Sequence, residues 1–232
     1  MRAALLADIH GNDLALGAVL AAVREAGIEM LLVCGDMVGY YFAPDRVMEM
    51  LRPWKKRMVR GNHEDMLALA RRDPAALERI DRAYGTGHRL ALERLSPADL
   101  DELTALPATA SVDLDGYRVL LCHGAPWDTN QYVYPDAPGE LLERCAAPGH
   151  ATVVMGHTHH PMLREAKGVR LVNPGSVGQP RNRRPGADWA ILDTGSGEVA
   201  LKHERYDPTP LVEEAKARNP GVPYLHEILV RQ

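Results

Sequence analysis

Five apolar runs in this chain stop on residues that a buried strand does not ordinarily end on. "AALLADIH" (3–10), "MLLVCGD" (30–36), "KRMVRGNHE" (56–64), "YRVLLCHG" (117–124) and "TVVMGHTH" (152–159) each begin as a strand and finish on Asp, Asn or His. A lone Gly-Asp step such as Gly35-Asp36 reads equally well as a turn. An unpaired carboxylate beside an apolar strand is costly, however, and here the pattern recurs. The recurrence constrains the fold, because all five ends must reach water, or one another, together.

The segments between the runs supply the connections. "GNDLALGAVLAAVREAG" (11–27) places Leu16, Val19, Leu20 and Val23 at helical spacing, with Asn12 or Asp13 to cap its start and Gly27 to suit its end. "APDRVMEMLRP" (43–53) reads as a second helix. Strand–helix alternation predicts a parallel α/β core. Residues 64–105 read as mostly helical, with Ser96-Pro97 and then Asp99 marking one helix start and Pro107 closing the segment. The chain then becomes strand-rich, with "ASVDL" (110–114), "VRLVNPG" (169–175), "DWAILD" (188–193) and "EVALKHERY" (198–206) joined by short turns, and one helix at 139–146. A short polar tail is expected from Asp207, packing back on the surface. No repeat or linker interrupts the pattern, so one domain over 1–232 is expected.

The bulk properties remove several function classes. A net charge of -4 and a pI of about 6.2 give no sign of a basic nucleic-acid surface. No apolar run approaches the roughly 18–20 residues of a membrane-spanning helix. The first dozen residues, with one Arg followed by acidic residues, do not read as a signal peptide. Cys34, Cys122 and Cys145 are too few for a disulfide framework. A cytoplasmic protein is expected.

In sheets with parallel strands the carboxyl ends open onto a shared crevice where ligands bind. Five strands would therefore deliver Asp8, His10, Asp36, Asn62, His123, His157 and His159 to one rim. Within Asp8-Ile9-His10 and His157-Thr158-His159, strand alternation would aim both members of each pair at the crevice. Carboxylates mixed with imidazoles suit borderline divalent metals such as Mn, Fe, Zn or Ni. Seven ligands exceed the needs of one four-coordinate ion, so two ions are expected, with Asp36 bridging them at a separation of about 3.5–4 Å.

The set "DIHGN", "GDMVG", "GNHE", "CHG" and "GHTH", together with "NPGSVGQPR" (173–181), resembles the calcineurin-like metallophosphoesterases, and within them the compact bacterial and archaeal phosphodiesterase-like branch. The match in order and spacing runs from Asp8 to about Asp193. The resemblance implies a two-sheet sandwich flanked by helices, and hydrolysis of phosphoester bonds by a metal-bridging hydroxide, with Mn the favoured metal. It implies that Asp8, His10, Asp36 and His159 hold one ion, while Asp36, Asn62, His123 and His157 hold the other. In that family the His of the "GNH" step touches the phosphate and the leaving group, which gives His63 the catalytic role. An imidazole with an ordinary pKa of about 6.5 can supply a departing oxygen with a proton or a positive charge.

Other residues carry two readings. Arg181 can grip a phosphate oxygen or lie in a solvated loop, the reading favoured for Arg183 and Arg184. Asn12 either caps the helix or meets substrate, and Tyr40 and Tyr41 either stack on a base or, as favoured, wall the cleft. Glu64 and Asp65 are expected to support ligands or the helix start. His160 is expected to turn away from the site. Cys34 and Cys122 read as packing residues, and His88, His150, His203 and His226 carry no motif. The substrate is expected to be a small-molecule or nucleotide phosphoester, with a diester ahead of a monoester. A non-catalytic metal scaffold is the third reading. A β-lactamase-like hydrolase would want a His-x-His-x-Asp-His run, which is absent.

Overall fold

The computed structural model describes residues 1–232. In chain order the elements are β1 (Arg2–Leu6), α1 (Asp13–Glu25), β2 (Met30–Cys34), α2 (Pro44–Leu51), β3 (Lys55–Val59), α3 (Asn62–Ala70), α4 (Pro74–Tyr84), α5 (Gly87–Arg94) and α6 (Pro97–Ala105). They continue with β4 (Thr109–Leu114), β5 (Tyr117–Cys122), α7 (Gly139–Cys145), β6 (Thr152–Val154), β7 (Met162–Ala166), β8 (Val169–Asn173), β9 (Ala187–Asp193), β10 (Val199–Glu204), α8 (Thr209–Arg218) and α9 (Tyr224–Val230).

Two five-stranded sheets result, ordered β10-β9-β1-β2-β3 and β4-β5-β6-β8-β7. Period-two alternation along β1 separates its two faces. Ala3 and Leu5 point into the layer shared with Val119, Leu121, Val154 and Val172 of the other sheet. Ala4 and Leu6 point the other way, onto Leu16, Val19 and Leu20 of α1. Alternate residues of the second sheet, among them Val153 and Leu171, pack with Leu142 and Cys145 of α7. The layers are therefore helix, sheet, sheet, helix. β1, β2 and β3 run parallel, as do β5, β6 and β8. Their carboxyl ends, with the loops that follow, form a common rim.

Three expectations are corrected here. The tail beyond Asp207 is two helices, α8 and α9. Leu211, Val212, Ala215, Leu225, Ile228 and Leu229 are buried with Tyr40, Tyr41, Phe42 and Leu90 in a separate apolar cluster. Second, "GNHE" does not continue a strand. β3 ends at Val59 and Asn62 already opens α3. Third, β7 was not anticipated, since "MLREA" buries only Met162 fully and pairs along one edge, with β8. The helix starts at Asn12 and Ser96 do form as expected. The Asn12 side chain accepts from the Ala15 amide at 3.0 Å, and Ser96 accepts from that of Asp99 at 3.1 Å.

Candidate metal centre

The strands stop short of the residues they deliver. β1 ends at Leu6 and β6 at Val154, so strand alternation does not pair Asp8 with His10 or His157 with His159. Instead Asp8, His10, Asp36, His157 and His159 all take positive φ, between 54° and 68°. A left-handed conformation costs a non-glycine residue about 1–2 kcal/mol, and such strain persists where the surroundings over-determine it. Backbone bonds lace these turns together: the His10 amide donates to the Asp36 carbonyl, Gly178 to that of Asp8 and Gly156 to that of His123.

Glu64 holds the central turn. Its buried carboxylate accepts the amides of Asp36 (2.8 Å), Met37 (2.9 Å), Val38 (3.3 Å) and Gly61 (2.8 Å). One carboxylate thus joins the Asp36 turn to the start of α3. Gly61 lies so close to Asp36 Oδ1 that a Cβ there has no room, and Gly39, at φ +96°, lies as close to the His63 ring.

The side chains then converge through acceptor atoms. His10 Nδ1 donates to the Val38 carbonyl (3.1 Å) and His159 Nδ1 to that of Gln179 (2.7 Å). Each Nε2 is thereby left as a lone pair, yet the two Nε2 atoms face each other at 3.1 Å. His123 Nδ1 donates to the Cys34 carbonyl (2.7 Å), and its Nε2 lies 3.0 Å from Asn62 Oδ1 and 3.3 Å from Asp36 Oδ2. Asp8 Oδ1 lies 3.4 Å from His159 Nε2 and 4.0 Å from His123 Nε2. Acceptors facing acceptors in a buried site require a cation between them. Among these groups, Asp8–His10–His159 and Asp8–Asp36–His123 are compact enough to hold an ion. The donor set and its spacing fit divalent metal.

The electrostatics express the same demand. Burial, reinforced by Asp36, pushes the Asp8 carboxyl up to about 8. Burial opposes a charge on His123, but Asp36 overcomes it and raises the imidazole to about 10. Burial likewise opposes a charge on Asp36, and His123 and His63 hold it well below the usual carboxylate range. Without metal, protons provide the missing positive charge.

The remaining expected residues fall as follows. His157 sits beside the His123 ring (centroids 5.0 Å), but its Nε2 donates to the Asn130 carbonyl at 3.2 Å, which leaves Nδ1 as its free acceptor. His63 is buried, with Nε2 4.0 Å from Asp36 Oδ2 and with Nδ1 unpartnered. Tyr40, Tyr84 and His88 enclose its ring, and that burial lowers its pKa to about 3. Arg181 donates to Tyr40 Oη (3.2 Å) and Gln179 Oε1 (3.3 Å) rather than to a carboxylate, and its Nε is buried without a partner. Asn12 takes the capping alternative. It is fully buried, and its amide group donates to the Gly178 carbonyl (2.9 Å) and Tyr206 Oη (3.0 Å), so it is not retained as a substrate contact. Tyr40 and Tyr41 are buried walls, while Arg183 and Arg184 are exposed.

Sequence reasoning missed three rim residues. Gln179 is a buried hub that donates to Tyr41 Oη (3.3 Å) and accepts from Arg181 and from Tyr224 Oη (3.5 Å). Tyr224 arrives on the unanticipated α9. Tyr132 stacks on His157 with centroids 4.1 Å apart. The aromatic-rich run "WDTNQYVY" (127–134) holds Tyr132 and "NPGSVGQPR" (173–181) holds Gln179, while no pattern marks Tyr224.

Known proteins share both the sequence pattern and the fold. The chain is 28% identical over 222 residues to an uncharacterized protein of Methanocaldococcus jannaschii, covering 88% of this chain and 87% of that one. A hypothetical protein of Pyrococcus horikoshii superposes with a TM-score of 0.87 at 22% identity, over 99% of this chain and 98% of the other. A metallophosphoesterase of Sphaerobacter thermophilus gives 0.80 at 25% identity, over 100% and 98%. The family model of the calcineurin-like phosphoesterase superfamily domain matches residues 1–197. A metal-competent rim of Asp, Asn and His on a two-sheet sandwich thus belongs to a phosphoric ester hydrolase, and this chain is a member of the calcineurin-like phosphoesterase superfamily.

Proposed function

We propose that the protein is a phosphodiesterase working with two divalent ions, Mn²⁺ the favoured pair, held in the partition the family resemblance implies. The confrontation of the His10 and His159 Nε2 atoms at 3.1 Å carries this reading, because a metal ion between them would satisfy both. Ions in this site would offset the charge on the phosphoryl oxygens and lower the pKa of the attacking water. Asp36, which faces His10 at 3.8 Å and His123 at 3.3 Å, would serve both ions in this reading.

Arg181 would take one non-bridging oxygen of the phosphate through its unpartnered Nε. A single guanidinium matches the single charge of a diester, which supports a diester ahead of a terminal dianion. His63 would meet the leaving oxygen. In its buried neutral form it offers an N–H rather than a full imidazolium charge. Three unpaired, buried cysteines support a reducing, cytoplasmic setting. Turnover of bis-p-nitrophenyl phosphate against p-nitrophenyl phosphate, after adding Mn²⁺ to metal-free protein, tests the reading. Diester turnover should exceed monoester turnover. A preference for the monoester would overturn the diester assignment.

A further inference from the structure

The metal rim is almost wholly buried, yet the loop beside it displays aromatic rings to solvent. Tyr132 is 45% exposed and Tyr134 41%. Val133 between them is buried. Side chains two apart in an irregular, non-helical segment thus share one side, and the middle one anchors the segment in the core. The two tyrosine rings are parallel within 5°, their centroids 5.6 Å apart. Tyr132 also lies against the ring of His157, at 4.1 Å and 28°. Three flat rings thus lead from an expected metal ligand outward to solvent.

This ladder is held in place. His157 donates to the Asn130 carbonyl, Gln131 Nε2 donates to the Tyr132 carbonyl (2.9 Å), and Arg164 donates to the Pro135 carbonyl (2.5 Å). Parallel rings suit a flat π-system. A quaternary ammonium ion would instead require rings facing it from several sides. Tyr132 lies directly against His157, an expected metal ligand, so a phosphate at the metals and a ring on the outer tyrosine are within the span of one small molecule.

We propose that Tyr134, backed by Tyr132, offers a stacking face for a nucleobase, so that the diester cleaved at the metal rim is a nucleoside phosphodiester. This rests on the phosphodiesterase reading above. It differs from the two earlier options for stacking, Tyr40 and Tyr41, because both of those are buried.

Three p-nitrophenyl diesters that share one leaving group test the proposal: thymidine 5′-, ethyl and choline esters, assayed with Mn²⁺-loaded protein. Stacking of a base on an aromatic side chain is worth about 1–3 kcal/mol, or roughly tenfold or more. The kcat/KM for the thymidine ester should exceed that for the ethyl ester by about tenfold or more. Tyr134→Leu should bring this ratio to within about twofold of unity, and Tyr134→Phe should preserve it. Because both esters are measured on the same preparation, partial misfolding cancels from the ratio. A wild-type ratio near unity, a ratio that survives Tyr134→Leu, or a preference for the choline ester would each overturn the proposal. If no ester is hydrolysed, the phosphodiesterase reading fails and calorimetry decides the stacking face. Thymidine 5′-phosphate binding more tightly than ethyl phosphate, with the difference lost in Tyr134→Leu, upholds it. Equal binding overturns it.

Discussion

The rim and the wall of this site are built by opposite means. The rim consists of short turns after parallel strands, and its residues are chemically unusual: buried carboxylates and imidazoles with one half-buried amide, mutually acceptor-rich. The wall consists of Tyr40, Tyr41, Gln179 and Arg181, backed by α8 and α9, where generic leucines, isoleucine and tyrosines pack. Tyr41 Oη donates to the Leu225 carbonyl at 3.1 Å, and Tyr224 Oη reaches Gln179. The rim would hold the ions, and the wall shapes what approaches them. If the two are separable, changes to one should leave the signature of the other intact.

The largest effect is expected within the rim. Asp36→Asn should lower metal content and kcat/KM by more than about 100-fold, since losing even a supporting partner of a ligand costs 10–100-fold. Asp8→Asn should do less harm, because Asp8 Oδ1 lies 4.0 Å from His123 Nε2 whereas Asp36 Oδ2 lies 3.3 Å from it. Equal losses of metal and rate in the two variants would remove the special standing of Asp36.

His63→Ala probes the boundary of the two regions, since its ring touches His10 on the rim and Tyr40 on the wall. Both ions should remain bound, while turnover falls further for a poor leaving group, whose oxygen needs the His63 N–H, than for nitrophenolate. A deficit independent of the leaving group would give His63 a role in holding phosphate charge. Loss of metal would make it a ligand, an option its place beside His10 and Asp36 leaves geometrically available.

A smaller effect is expected from the wall. Leu225→Ala removes a fully buried side chain from the cluster around α9 and should destabilise by about 2–5 kcal/mol. Thermal denaturation should show a lower melting point while metal content per folded chain is unchanged. Loss of metal in this variant would mean that rim and wall are one cooperative unit.

The contrast also explains what was legible beforehand. Asp8, His10, Asp36, Asn62, His123, His157 and His159 stood out because apolar strands have no other use for such residues at their ends. The means of bringing them together was not legible. It depends on left-handed turns and on Glu64 gathering four amides, and neither leaves a mark in hydrophobic periodicity. α8 and α9 lie in a segment that Pro208, Pro210, Pro220 and Pro223 punctuate, which hides their helical spacing. Pro210 instead lies in the first turn of α8, and Pro223 caps the start of α9. Their leucines acquire meaning only when Tyr41 and Phe42 pack against them.

In this reading the rim is a two-cation site kept in balance by protons when metal is absent. Calorimetric titration of Mn²⁺ into metal-free protein at pH 7.5, repeated in buffers of different ionisation enthalpy, tests it most directly. His123 and Asp8, raised to about 10 and about 8, both hold protons at that pH, and metal must displace them. The account predicts two ions per chain, net proton release, and affinity that strengthens as pH rises from 7 toward 9. Binding of one ion or none, or binding without proton release, would contradict it.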